Sequence, residues 1–151
     1  TAYDPHADFG STDVRQVELD ELLKTSEVVS IHAGMTDETR GMLGAEQLAL
    51  MPDNALLVNT ARAGIVDEEA IVSELGKGRI RAALNVFWKE PLANDHPLRS
   101  KGNVILTPHG GGLTHDRQVR QSRSLVEDIK LVCEDKRPLH EVTADMLLRM
   151  T

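Results

Sequence analysis

Four short runs of apolar residues recur along this chain, and segments with helical periodicity separate them. The runs span residues 27–32, 54–59, 80–87 and 104–106. Strands that are almost continuously apolar are typical of parallel sheets, which carry helices on their faces. Helical spacing marks residues 18–24, 45–51, a segment after Asp67, and 114–134. This alternation predicts an α/β fold with a doubly wound parallel sheet, and residues 1–3 fit the end of a further strand.

The composition limits the classes of protein to which this sequence can belong. With 151 residues the chain is long enough for one domain, and with 3% aromatic residues its core must be built from Ala, Val, Ile and Leu. A net charge of −7 argues against a nucleic-acid or anionic-membrane partner. No apolar run is long enough to span a bilayer and no signal peptide is recognisable, so the cytoplasm is the expected location.

The cysteine and histidine content bears on disulfides and metals. Cys133 is the only cysteine, which excludes an internal disulfide. It falls on the apolar face of the predicted helix 114–134, so we predict that its side chain belongs to the core. The six histidines show no ligand spacing with acidic or cysteine partners, so no metal site is expected.

Polar side chains collect where the predicted strands end. Ligands bind beyond the carboxyl ends of the strands in open parallel sheets, so such residues mark a candidate ligand site. The clearest case is the strand 104–106, because Pro108 cannot continue a central ladder and His109 follows it directly. The polar residues that follow the five predicted strands are Asp4, His32, residues 60–62, Asn85 and His109.

Arg62, Glu90 and His109 supply the chemistry of an acid–base reaction on a carboxylate substrate. A guanidinium holds a carboxylate with two parallel hydrogen bonds, and a carboxylate beside an imidazole stabilises the protonated imidazole. The three residues suit the reduction of a 2-keto acid, in which the arginine clamps the carboxylate, the histidine protonates the carbonyl oxygen and a cofactor delivers hydride. Taken singly, each has a simpler interpretation: a surface arginine, a solvated loop glutamate and a histidine in a turn.

The cofactor half of such a site is only partly present. An acidic residue after the second strand of a dinucleotide-binding fold accepts hydrogen bonds from the adenosine ribose. Asp4 fits this position, and it favours NAD over NADP by repelling a 2′-phosphate. The glycine loop expected about 20 residues earlier is absent from the sequence. We therefore predict a Rossmann-like sheet that is incomplete, with the first βαβ unit and its glycine loop missing.

Several motifs together resemble the D-isomer-specific 2-hydroxyacid dehydrogenase family, which includes D-3-phosphoglycerate dehydrogenases. They occur between residue 1 and about residue 112, in the family's order and at its spacing. The motifs are Tyr3-Asp4-Pro5, Val28-Val29-Ser30-Ile31-His32, Thr36-Asp37-Glu38-Thr39-Arg40-Gly41, Asn59-Thr60-Ala61-Arg62-Ala63-Gly64, Asn85-Val86-Phe87, Glu90-Pro91-Leu92 and Thr107-Pro108-His109.

The resemblance implies that residues 1–112 are the C-terminal part of an NAD-binding domain and that residues 113–151 return to a substrate domain. It implies that Arg62 binds and orients the substrate, that His109 is the general acid/base and that Glu90 tunes it. Family members are commonly homodimers. The resemblance also implies a cofactor site, and the predicted set is Asp4, His32, Ala33, Gly34, Thr39, Thr60, Ala61, Arg62, Asn85, His109 and Gly111.

Two residues depart from the family's pattern, and other activities stay open. Asn85 stands where aspartate is usual, although an amide can still accept a hydrogen bond from the nicotinamide carboxamide. Gly34 replaces a proline and leaves its loop looser. Formate dehydrogenases are similar around the histidine but carry glutamine in place of Glu90. Phosphite oxidation by a relative with the same three residue types is another alternative, as is a non-catalytic NAD-sensing module.

Overall fold

A four-stranded parallel sheet forms the centre of the computed structural model, which describes residues 1–7, 9–10, 13–112 and 114–147. The strands lie side by side in chain order, and all three pairings are parallel. This arrangement confirms the predicted α/β, Rossmann-like class. The strands are β1 (Val28–Ile31), β2 (Leu56–Asn59), β3 (Arg81–Leu84) and β4 (Val104–Leu106).

Helices connect the strands and follow the last of them. The predicted helices are all present, with ends that differ by a few residues at most. Asp67 caps the third helix, because its carboxylate accepts a hydrogen bond of 2.8 Å from the Ala70 N–H. Two short 3-10 helices and the short helix Ala144–Leu147 were not predicted, since segments this short have no periodicity. The elements are α1 (Leu19–Thr25), α2 (Ala45–Leu50), α3 (Glu68–Gly76), α4 (His115–Cys133) and α5 (Ala144–Leu147), with 3-10 helices at Ala63–Ile65 and Pro97–Ser100.

The core lies between one face of the sheet and the first three helices. Alternate strand residues such as Ile31, Leu57 and Leu84 are buried on this face, and Leu23, Leu48, Ile71 and Leu75 of the helices pack against it. The opposite face is open in the described part of the chain, where Val28 of β1 and Ile105 of β4 are 59% and 66% exposed. The strands are therefore apolar on both sides, yet only one side is covered here.

Two expectations from the sequence are wrong. Residues 1–3 do not extend the sheet: Ala2 forms only an isolated parallel bridge with Gln16. Cys133 is exposed rather than buried. The physical reason is that α4 carries its apolar stripe away from the core, so that none of its residues is buried.

Parts of two predicted segments lie outside the described residues. These are residues 8 and 11–12 of the loop before α1, and Leu113 and residues 148–151 of the segment 113–151. Within the described ranges, no helix combines the length and apolar character that crossing a bilayer requires.

Shortening Leu57 tests where the core lies. The side chain is fully buried, so Leu57→Ala removes apolar contacts and leaves a cavity. We expect a loss of about 2–5 kcal/mol in the free energy of unfolding, measured by urea denaturation. The control is Ile105→Ala on the open face, which should cost about 1 kcal/mol or less. Equal losses would contradict this placement of the core.

Candidate active site

The register of the sheet brings four strand ends to one level. Ile31 pairs with Asn59, Asn59 with Leu84, and Leu84 with Leu106. The next residue of each strand therefore stands at the same carboxyl edge. Those residues are His32, Thr60, Asn85 and Thr107. Arg62 lies two residues beyond Thr60, and His109 two residues beyond Thr107, so the sheet directs the predicted site residues towards one edge, as expected from the sequence.

Glu90 and His109 form a direct pair at this edge. The Nδ1 of His109 lies 2.7 Å from Glu90 Oε2 and 2.9 Å from Oε1. A carboxylate can only accept, so Nδ1–H donates and the other ring nitrogen, Nε2, is left for exchange with a ligand. No described residue bonds to Nε2. The two side chains are 38% and 47% exposed, which leaves the pair open to solvent and to a substrate.

The backbone of His109 is held in an unusual conformation. Its φ is 49°, in the left-handed region that few residues other than glycine adopt. The turn is closed by a hydrogen bond of 2.9 Å from the His109 N–H to the Thr107 carbonyl, across Pro108. Residues in such conformations are concentrated at functional sites, where the surrounding structure must offset their cost. The turn points the imidazole at Glu90 instead of continuing β4.

The carboxyl of Glu90 is held in its ionised form. The hydrogen bond from His109 and then that from the Phe87 N–H (3.0 Å) lower the pKa of Glu90 below its ordinary value of 4.5. The positive charge of Arg62 acts in the same direction, which places the guanidinium close enough to influence the pair. Glu90 is thus bonded directly to His109, and the charge of Arg62 adds a smaller effect in the same direction.

Asn59 shapes the turn that presents Arg62. Its buried amide accepts from the Ala61 N–H at 3.1 Å and donates to the Arg62 carbonyl at 3.0 Å. Arg62 is exposed, and its Nη1 donates to the Ala61 carbonyl at 2.9 Å. This role of Asn59 was not predicted from the sequence, although a polar residue at the end of an otherwise apolar strand was a usable signal.

Asn85 directly follows β3 and is buried, between the strand ends that precede Arg62 and His109. Its side chain is 6% exposed, and its Oδ1 accepts a hydrogen bond of 2.8 Å from the Thr107 hydroxyl. Gly111 passes beside the amide, where a Cβ would come within 3.3 Å of Nδ2. The missing side chain at Gly111 leaves room at the amide.

The remaining predicted cofactor residues lie in the loops that follow β1 and β2. The Thr39 hydroxyl donates to the Gly34 carbonyl at 2.7 Å and accepts from the Thr36 N–H at 2.8 Å. These bonds hold the loop that contains Ala33 and Gly34. His32 follows β1 and bonds to the Ser30 hydroxyl at 2.9 Å, while Thr60 is exposed and Ala61 partly buried after β2. Thr36 is a further residue that the sequence analysis did not single out.

Asp4 lies in a separate acidic concavity. The space measures about 430 Å³ and is lined by Asp4, Gln16, Glu18 and Glu21, among others. Asp4 Oδ1 accepts from the His6 N–H at 2.9 Å, which orients the carboxylate. Carboxylate oxygens of this kind suit the hydroxyls of a ribose, and they disfavour an additional phosphate.

A second cavity adjoins the Glu90–His109 pair. It measures about 240 Å³, and apolar side chains form most of its wall. Both members of the pair line it, as does Arg99, which the sequence analysis did not consider. Among the described residues, no group of three histidine, cysteine or acidic side chains is placed to hold a metal ion.

The comparison with known families agrees with this geometry. The model of the D-isomer specific 2-hydroxyacid dehydrogenase NAD-binding domain matches residues 1–111. The chain belongs to this family. The matched range contains every residue of the candidate site, from Asp4 to Gly111. In an NAD-binding domain of this kind, a dinucleotide is expected at the carboxyl edge of the sheet.

Named D-2-hydroxyacid dehydrogenases are similar over most of the chain. A glyoxylate reductase of Aeropyrum pernix is 40% identical over 85% of this chain and 39% of its own length. A D-3-phosphoglycerate dehydrogenase of Methanocaldococcus jannaschii is 42% identical over 86% of this chain and 26% of its own length. The crystal structure of a D-lactate dehydrogenase with NAD+ from Lactobacillus jensenii superposes with a TM-score of 0.81 at 26% identity, covering 93% of this chain and 47% of that one. The chain therefore spans less than half the length of these relatives.

Removing the Glu90 charge tests the pair. A carboxyl whose pKa is lowered by folding stabilises the protein above its unfolded pKa, and that contribution is lost as the pH falls through the folded pKa. We expect Glu90→Gln to lower the urea midpoint at pH 7, and the difference from the unmodified protein to shrink below about pH 5 and vanish in stronger acid. Glu127→Gln is the control, since Glu127 is exposed on α4. A difference in urea midpoint that persists unchanged at low pH would contradict the lowered pKa of Glu90.

Proposed function

We propose that this protein is part of an NAD-dependent oxidoreductase that transfers hydride between the nicotinamide and a small 2-hydroxy or 2-keto acid. The observation that carries the proposal is the Glu90–His109 hydrogen bond of 2.7 Å at the carboxyl edge of the sheet, with the charge of Arg62 beside it. An ionised carboxylate, an oriented imidazole and a guanidinium are the groups that this reaction requires.

Each residue has a separate role in the proposed reaction. The Arg62 guanidinium binds the substrate carboxylate and so fixes the position of the carbon that reacts. In the direction of reduction, His109 Nε2–H gives its proton to the carbonyl oxygen; in the direction of oxidation, Nε2 takes the proton from the hydroxyl. Glu90 accepts from Nδ1–H throughout and stabilises the imidazolium. The nicotinamide, when bound, supplies or accepts the hydride.

The cofactor would lie along the carboxyl edge that these residues share. We propose that Asp4 binds the adenosine ribose and that its acidic surroundings favour NAD over NADP. The other proposed cofactor residues are His32, Ala33, Gly34, Thr39, Thr60, Ala61, Asn85 and Gly111, with Arg62 and His109 next to the reacting atoms. The homodimer and the cytoplasmic location remain predictions.

A substrate panel tests this function against its alternatives. The complete enzyme that contains this chain is assayed with NADH and glyoxylate, hydroxypyruvate, pyruvate and 3-phosphohydroxypyruvate, and with NAD+ and formate or phosphite. Turnover of one or more 2-keto acids supports the proposal. Activity with formate or phosphite alone would favour a related dehydrogenase with that donor, and NAD binding without turnover of any compound would favour a sensing module.

Replacing His109 tests its role as the acid/base. We expect His109→Ala to lower kcat by roughly 10²–10⁴-fold on the substrate found in the panel, while the Kd for NADH changes little. The matched control is His140→Ala. His140 also bonds to a carboxylate, that of Asp128 on α4, at 3.0 Å. Full turnover by the His109 variant would refute the role.

Replacing Asn85 tests where the nicotinamide lies. Asn85 directly follows β3, and β3 lies between β2, which precedes Arg62, and β4, which precedes His109. A nicotinamide ring that reaches a substrate held by both residues should therefore be near Asn85. Asn85→Asp keeps the acceptor for Thr107 and adds a negative charge, which favours the positively charged oxidised ring. We expect calorimetry to show the Kd for NAD+ falling roughly tenfold relative to that for NADH. An equal change in the Kd for NAD+ and in the Kd for NADH would place the nicotinamide ring away from Asn85.

A further inference from the structure

The segment that carries Glu90 differs from the other connections of the sheet. Residues 85–103 join β3 to β4 without an α-helix, whereas an α-helix lies in each of the other two connections. The Glu90 carboxylate is partly exposed, and within the described ranges its hydrogen bonds are to Phe87 and His109 alone. Ordering an irregular segment costs conformational entropy, so other contacts must hold its backbone in place.

Arg99 makes two of those contacts with one guanidinium. Its Nη2 donates to the Leu92 carbonyl at 2.7 Å, and its Nε donates to the Ala93 carbonyl at 2.8 Å. These carbonyls belong to consecutive residues just after Glu90-Pro91. A guanidinium is planar and presents its donors in a fixed fork, so it can fix the direction of both peptide groups at once.

The base of the arginine is itself anchored to the core. Arg99 lies in the 3-10 helix Pro97–Ser100, whose Leu98 is 1% exposed. His96 caps this helix, because its Nδ1 accepts from the Leu98 N–H at 3.2 Å, and its Nε2 bonds to Glu68 of α3 at 3.0 Å. The guanidinium therefore connects a rigid support to the chain beside Glu90.

Glu90 lies between two fixed points of the backbone. On one side, the Trp88 indole N–H donates to the Val66 carbonyl at 2.9 Å. On the other side, Leu92 is buried, and its carbonyl is one of those that Arg99 binds. Each point is two residues from Glu90, so a shift of either would move the carboxylate relative to the imidazole.

We propose that Arg99 is a positioning residue, whose fork on the Leu92 and Ala93 carbonyls holds the Glu90 carboxylate against Nδ1 of His109. Arg99 also lines the 240 Å³ cavity together with Glu90 and His109, so it supports the pair from within the same space. That the Arg99 fork matters for turnover rests on the proposed function. That it positions Glu90 against His109 does not depend on any reaction.

The effect runs through the backbone and not through the charge of Arg99. The positive groups that lower the pKa of Glu90 are His109 and Arg62. A lysine at position 99 would keep the charge but lose the planar fork. Lysine should therefore restore the pair only in part, which separates positioning from electrostatic attraction.

The test is a titration of the Glu90 carboxyl by carbon-13 NMR in the complete chain, with Glu90→Gln used to assign the signal. We expect Arg99→Met to raise the pKa of Glu90 by about half a pH unit or more towards its ordinary value, and Arg99→Lys to give a smaller rise in the same direction. The control is Arg81→Met, since Arg81 also donates twice to a backbone carbonyl, that of Asn54, away from the carboxyl edge. This control should leave the Glu90 titration unchanged.

Three outcomes would overturn the proposal. These are a folded Arg99→Met variant with an unchanged Glu90 titration, an Arg99→Lys variant that behaves as the unmodified protein, and an equal shift in Arg81→Met. If Arg99→Met does not fold, the lysine variant alone decides. In the assay of the proposed reaction, kcat of the folded Arg99→Met variant should fall about tenfold with little change in KM. Absence of any turnover in the unmodified complete enzyme would refute the proposed function but leave the titration result standing.

Discussion

The parallel register of the four strands is the constraint on which the candidate site depends. Because Ile31, Asn59, Leu84 and Leu106 stand at one level, the residues that follow them emerge at the same edge. Hydrophobic burial sets this register, since a shift of one residue would turn the buried side chains to the open face. The catalytic geometry is thus a product of core packing, although none of the three proposed catalytic residues is itself in the core.

Much of the fold and part of the site could be predicted from the sequence. Apolar runs and turn residues are local signals, so β1 to β4 and α1 to α4 were located, and the rule for strand ends placed Arg62 and His109 at one edge of the sheet. Contacts with backbone carbonyls have no such signal. The hydrogen bonds of Asn59 and Arg99 depend on where the chain turns, which spacing alone does not specify. Cys133 was misassigned because an apolar stripe shows which face of a helix is apolar but not whether anything covers it.

The two halves of the site are built by different means. On the side of β4, the hydrogen bond between Glu90 and His109 fixes the side chains, and both are partly exposed. On the side of β1 and β2, side-chain hydrogen bonds to the backbone fix the loops, as those of Thr39 and Asn59 do. The first kind of contact is sensitive to pH and salt, whereas the second is not. A family member of this construction can alter its acid–base chemistry without disturbing the surface along which the dinucleotide would lie.

The shortness of β4 has a consequence for association between chains. It is three residues long and lies at one edge of the described sheet, and Pro108 follows two residues after its end. An edge strand exposes unpaired backbone groups to which a strand of another molecule can add. A strand this short offers few such groups, and proline offers no N–H donor at all. The same turn that presents the histidine therefore also protects this edge of the sheet from intermolecular pairing.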